Sequence, residues 1–206
     1  MTTLLLIRHA ETDALGKSIM GSLPGWHLNS AGKAQAEQLA QRLARLRIHA
    51  IYSSPLERAV ETAEPIASRH QLKPNHLEEL GELRMGDWEG KAIRDLDQRK
   101  DWRRFNAFRS GVRAPGISGC RSGELMIEAQ ARMVRQLDCL RERHPGECIA
   151  IVSHADPLRA LLAHFLGIAI DLMLRFEISP ASVSVVESGE WGPRILCVNE
   201  TGDIPL

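Results

Sequence analysis

The sequence predicts an α/β fold, a three-layer α/β/α sandwich with a mainly parallel central sheet. Three observations carry this expectation. Strand-like and helix-like segments alternate along the chain, which calls for strands joined by helical crossovers. The strand runs near residues 3–8 and 147–153 are apolar without helical spacing, as strands covered on both faces must be. Cap residues and prolines stand where helices should begin. With 206 residues, the chain suffices for one sizeable domain. We expect a single domain over 1–206 with a cap inserted at about 86–120.

The elements are expected in this order. Residues 3–8 form the first strand. Asn29 or Ser30 caps a helix to about Arg45, with Ala34, Leu39, Leu43 and Leu46 on or near its inner face. Residues 50–53 are a second strand. A helix then starts at Ser54-Pro55, with Pro in its first turn, and runs to about Arg69. Residues 75–78 suggest a brief third strand. Residues 86–120 hold much of the Gly and Trp and read as a loop-and-helix excursion. Ser122 or Gly123 opens a long helix to about Arg143, ended by Pro145-Gly146. Residues 147–153 give the strongest strand signal. Asp156 caps the next helix with Pro157 at its first position. Residues 182–186 and 194–198 form two last strands, joined by a Gly-containing turn.

Composition narrows the function classes. Lys plus Arg number 26 and Asp plus Glu 26, for zero net charge. That balance argues against a protein built to grip nucleic acid or an anionic membrane. The opening Leu4–Ile7 run is too short for a signal h-region, and residues 158–170 are too short and too charged to span a bilayer. The four cysteines, Cys120, Cys139, Cys148 and Cys197, form no C-x-x-C pair. They read as buried free thiols and fit a cytoplasmic location. No ligand cluster at zinc spacing is seen, so neither a metal nor another cofactor is expected.

The chemistry concentrates at two histidines. His9 and His154 each follow a strand, at the carboxyl edge where open α/β sheets bind ligands. The other six histidines read as structural or solvent-exposed. Arg8 precedes His9, and Arg58 lies in the turn and first helical turn after the second strand. Two arginines and two imidazoles at one edge suit a dianion, because a guanidinium fork donates paired hydrogen bonds to phosphate. The helix starting near Asp156 directs its amides to the same edge.

These residues carry a resemblance. Leu6-Ile7-Arg8-His9-Ala10-Glu11-Thr12 resembles the R-H-G-E-T signature of the histidine phosphatase superfamily, the phosphoglycerate-mutase-like proteins. Residues 53–59 with Thr62-Ala63, residues 82–90, and Val152-Ser153-His154 with Pro157-Leu158-Arg159 are similar to its later motifs. Leu28-Asn29, Gly32 and Gln35-Ala36 follow its first-helix pattern. The ordered set spans residues 4 to about 166.

The resemblance implies that His9 is the nucleophile that becomes phosphohistidine. It implies that Arg8, Arg58 and His154 bind the phosphoryl oxygens, with Ala155 beside them, and that Glu82 protonates the leaving oxygen. Departures are Ala10 after the histidine, Leu15 where the family often has a phosphate-contacting Asn, and Ala155-Asp156 after His154. We assign Asp156 to capping its helix and Trp88 to packing. Outside the motifs, Arg58 could instead pair with Glu57 or Glu61, and Glu82 could be solvated.

Residues 91–113 carry eight basic side chains, Arg109 among them, interleaved with Trp102, Phe105 and Phe108. They read as a solvated amphipathic cap, ahead of a face that screens anionic substrates or a nucleic-acid patch. The expected activity is hydrolysis of a small phosphomonoester without nucleic-acid or membrane partners. The runner-up is a phosphoglycerate mutase, and a weaker reading is a non-catalytic phospho-ligand or protein-binding module. Sugar phosphates, phosphoglycerate, nucleotides, ribazole phosphate and phosphoproteins stay open as substrates, and so does the oligomeric state.

Overall fold

A computed structural model describes residues 1–116 and 123–206. Six strands form one sheet: β1 Thr2–Arg8, β2 Ala50–Ser53, β3 Asn75–His76, β4 Cys148–Ser153, β5 Val183–Gly189 and β6 Gly192–Glu200. Their order across the sheet is β3-β2-β4-β1-β5-β6. The β1–β4, β2–β4 and β2–β3 pairs are parallel, and β5 and β6 close one side antiparallel. The tight Gly189–Gly192 reversal joins β5 to β6, since antiparallel neighbours need only a hairpin. β6 is left as an edge strand.

Side chains alternate across the sheet, so each central strand feeds two cores. Leu5, Ile7, Ile51 and Val152 face α1 (Ser30–Leu43) and α2 (Glu57–His70) on one side. On the other, Leu4, Leu6, Ile149 and Ile151 pack with the long helix Met126–Arg143 and the helix Ala155–Leu166. The layers are therefore helix, sheet and helix. A third cluster, around Trp88, Trp102 and Phe105, lies beneath the excursion. That excursion contains α3 (Ile93–Leu96) and α4 (Lys100–Ala107), so the two later helices are α5 and α6.

Several local expectations need correction. Ala34 is exposed, and Ala36 takes the inward position. Ser54 and Pro55 stay outside α2, because the residue before Pro avoids helical angles and Leu56 is still extended. α5 begins only at Met126, where Glu128 accepts from the Leu125 N–H at 3.0 Å; the expected start at Ser122 lies outside the described residues. α6 starts two residues early, with His154 as N-cap, so Pro157 is its third residue. The cysteines are not uniformly buried: Cys139 is exposed, Cys148 and Cys197 are half-buried, and Cys120 lies outside the described residues.

Gly32 is needed where it stands. A Cβ there would come 2.0 Å from the Glu11 carbonyl oxygen, so only glycine lets the first turn of α1 close over the segment that follows His9. Asn29 caps that turn, accepting from the Gly32 N–H at 2.8 Å.

Candidate active site

Parallel pairing sets Arg8 of β1 beside Ser153 of β4. The next residue on each strand is a histidine, so the sheet delivers His9 and His154 side by side, with ring centroids 5.1 Å apart. Both imidazoles are buried. His9 Nδ1 lies 2.7 Å from the Ala10 carbonyl oxygen. A carbonyl only accepts, so Nδ1 carries the proton and the lone pair is left on Nε2. The Ala10 N–H donates to Thr62 Oγ1 at 2.9 Å, and Thr62 donates to the Arg58 carbonyl at 2.7 Å. The loop after His9 and the start of α2 are thus one hydrogen-bonded unit.

Arg58 does not pair with Glu57 or Glu61 as a surface cation would. It is fully buried and donates to the Gly21 carbonyl at 2.8 Å. Arg8 donates to the Ile178 carbonyl at 2.6 Å. His154 Nε2 meets Ser54 Oγ at 2.8 Å. Three nitrogens, Arg8 Nε, Arg58 Nε and His154 Nδ1, are buried without a partner among the described residues. Buried donors are seldom left unmade, and three in one place fit the oxygens of an anion.

Electrostatics follow from this crowding. Burial, reinforced by Arg58 and Arg8, holds the His9 imidazole well below the usual histidine range. Burial and Arg58 do the same to His154. Both rings are therefore neutral near pH 7, and a neutral imidazole can attack an electrophile or share a hydrogen bond.

Glu82 is set by a different device. The Ser153 hydroxyl donates to the Leu80 carbonyl at 2.7 Å. Arg132 of α5 donates to the carbonyls of Glu79 and Glu82. Arg132 is itself clamped by the buried Glu124 carboxylate at 2.8 and 3.1 Å. The Glu82 carboxylate accepts the Leu83 N–H at 2.8 Å. Burial and the nearby Asp156 charge push its pKa up to about 7, against the opposing pull of Arg58 and Arg8. Glu82 can therefore hold or give a proton at neutral pH. The nearby Glu89 is spent elsewhere: one of its oxygens accepts from Ser22 and from the Met85 N–H at 3.0 Å, tying the loop before α1 to residues 85–89.

Arg8, Glu82, Ala155 and Asp156 line one end of a cavity of about 240 Å³. Leu15, where a polar phosphate contact would be usual, forms part of its apolar wall. Asp156 does not cap α6. It is the second residue of the helix, and its carboxylate accepts from Arg109 at 2.7 Å with Arg159 at 3.6 Å. Burial works against its charge, but Arg109 and Arg159 hold its pKa below the usual range. Arg109 was grouped with a solvated cap face; it is instead buried, 4.8 Å above the Phe105 ring. The Phe105–Arg109 spacing of one helical turn was the available signal. Arg132 and Glu124 were also missed, lying outside every motif.

This edge-bound cluster on a parallel sheet is matched by the comparisons with known proteins. The profile of the histidine phosphatase superfamily (branch 1) matches residues 4–201. The chain belongs to that family. It is 32% identical to phosphoserine phosphatase 1 of Hydrogenobacter thermophilus over 203 residues, 98% of this chain and 93% of that one. It is 29% identical to the adenosylcobalamin/alpha-ribazole phosphatase of Escherichia coli, over 89% of each. A phosphoserine phosphatase variant from Entamoeba histolytica, solved with phosphoserine, superposes with a TM-score of 0.84 at 26% identity, over 98% of both chains. Among the described residues no helix is long and apolar enough to cross a membrane.

Proposed function

We propose that this protein hydrolyses small phosphomonoesters through a phosphohistidine on His9, as a single domain whose cap roofs the cavity. The observation that carries the reading is the Nδ1–H bond to Ala10, which leaves a neutral Nε2 lone pair amid buried cationic and imidazole donors. Nε2 attacks phosphorus and a P–N bond forms. The P–O bond to the leaving alcohol breaks, and Glu82 gives that oxygen its proton. Glu82, now a carboxylate, takes a proton from water. The water oxygen attacks phosphorus, the P–N bond breaks, and inorganic phosphate leaves with His9 neutral again.

Arg8, Arg58 and His154 offset charge on the equatorial oxygens, where positioning and electrostatics do most of the work in phosphoryl transfer. Because two arginines supply the positive charge, turnover is expected without a metal. The relatives named for phosphoserine and alpha-ribazole phosphates support a small-metabolite substrate.

The test is rapid quench with labelled substrate, with and without exhaustive chelation. An acid-labile, alkali-stable adduct on His9, lost in His9→Ala and indifferent to chelation, is expected. Primed interconversion of 2- and 3-phosphoglycerate without comparable phosphate release would identify a mutase instead. Activity lost on chelation and restored by a divalent ion would overturn the metal-free reading.

A further inference from the structure

Resting on the phosphatase reading above, we infer that the cavity selects phosphomonoesters of compact, uncharged, apolar alcohols and discriminates against leaving groups that carry a carboxylate. The phosphoryl end and the leaving-group end of the cavity differ sharply. Away from Arg8 the wall is mostly apolar, with Leu15, Ile19, Met20, Leu83, Met85 and Ile93, and Ser18 brings a hydroxyl to it. Leu83 and Met85 are almost wholly buried, and Leu15 brings an apolar face where an amide would have served a polar ligand. The charged groups on the wall beyond Arg8 are carboxylates, Glu82 and Asp156. Among the described residues Arg8 is the one cationic side chain lining the cavity, and its position beside His9 commits it to the phosphoryl group.

A substrate with a carboxylate two or three bonds beyond the ester oxygen would put that charge inside this small volume. The charge would lose its water and, among the described residues, meet no further cation on the lining, beside the Glu82 carboxyl and an Asp156 carboxylate that Arg109 and Arg159 already hold. Unpaired buried charge is among the costliest contacts a site can make. An alkyl chain of similar size would instead exchange water for the Leu, Ile and Met surface, worth about a factor of four per buried CH₂.

The experiment compares kcat/KM for n-butyl phosphate and 2-phenylethyl phosphate with that for O-phosphoserine and 3-phosphoglycerate. All four release primary alkoxides, so the intrinsic chemistry is closely matched. The expected ratio favours the apolar esters by about 100-fold. Leu15→Arg, which sets a cation in the half-exposed apolar wall, is expected to narrow that ratio at least about tenfold. Calorimetric binding of n-propylphosphonate against 2-carboxyethylphosphonate reads the same preference without turnover.

Release of phosphate from all four esters, with phosphoserine or phosphoglycerate equal or preferred, overturns the selectivity and leaves the phosphatase reading standing. No release from any ester removes the phosphatase reading, and the phosphonates then decide the cavity by themselves. Equal or reversed phosphonate affinities overturn the inference in either case.

Discussion

Arg109 and Asp156 meet at 2.7 Å across the boundary between the inserted excursion and the first turn of α6, with both side chains mostly buried. Arg109 comes just after α4, and Asp156 sits two residues beyond His154. The pair therefore ties the excursion to the first turn of α6, where Asp156 lines the cavity. Removing one partner of such a pair strands the other charge. Arg109→Gln is expected to lower stability by about 3 kcal/mol in urea unfolding, and Arg109→Gln with Asp156→Asn to recover most of it. An uncompensated Asp156 also pushes harder on Glu82. The upper pH limb of activity should then move to higher pH in Arg109→Gln and not in the double variant. An unchanged limb would show that Asp156 and Glu82 are not coupled.

His154→Ala removes a buried hydrogen-bonding ring from the proposed phosphoryl pocket. A loss of ~10²–10³ in kcat/KM is expected, similar for aryl and alkyl esters, because the contact is to the phosphoryl group and not to the leaving oxygen. Circular dichroism should stay that of the parent. A loss confined to alkyl esters would move His154 into the proton-donor role.

Glu82 gives the pH dependence. Its pKa is raised to about 7, so its proton is present below pH 7 and lost above it. Burial, with Arg58 and Arg8, holds the His9 pKa well below the usual histidine range, so that ring is neutral where Glu82 titrates. Log kcat/KM for an alkyl phosphate should therefore fall with unit slope above about pH 7. In Glu82→Gln the limb should disappear, and alkyl esters should slow far more than aryl esters, whose leaving groups need no proton. Persistence of the limb in Glu82→Gln would assign it to another group.

Arg132 and Glu124 form a bidentate, largely buried pair whose outer nitrogens hold the carbonyls of Glu79 and Glu82. Arg132→Met leaves Glu124 charged and unpaired, at an expected cost of about 3 kcal/mol. Arg132→Met with Glu124→Leu should restore most of the stability. Hydrolysis of alkyl esters should nevertheless stay slow in the double variant, with kcat reduced more than KM is raised, because the hold on the Glu82 backbone is gone. Full recovery of kcat would reduce Arg132 to a structural role.

Much of this was legible because the decisive residues sit where local pattern and chemistry coincide. The apolar runs ending in Arg8-His9 and Ser153-His154 mark both the strands and the edge of the sheet, and the described structure brings all four residues with Arg58 to one place. The helix starts were read less well. The sequence puts Pro55 in the first turn of one helix and Pro157 at the first position of another, while extended Leu56 and the early N-cap at His154 decide the boundaries. Arg109, Asp156, Arg132 and Glu124 were misread or missed for a common reason. Each takes its role from a partner brought close by tertiary packing, and nothing in a charged residue's own neighbourhood announces a partner eight or 47 positions away.

The register that sets Arg8 beside Ser153 also governs how the molecule comes into being. β1 lies at the centre of the sheet, yet both of its neighbours, β4 and β5, lie more than 130 residues further along the chain. During synthesis, Leu4–Ile7 must therefore wait as an unpaired apolar ribbon while most of the protein is still being made. Long-range parallel closure is slow, and an unpaired strand of this kind is where nascent chains stick to one another. The His9–His154 juxtaposition cannot exist in any partial product that lacks β4. Recovery of soluble, active protein should accordingly depend on what shields the first strand in those first seconds, more than on the stability of the finished fold.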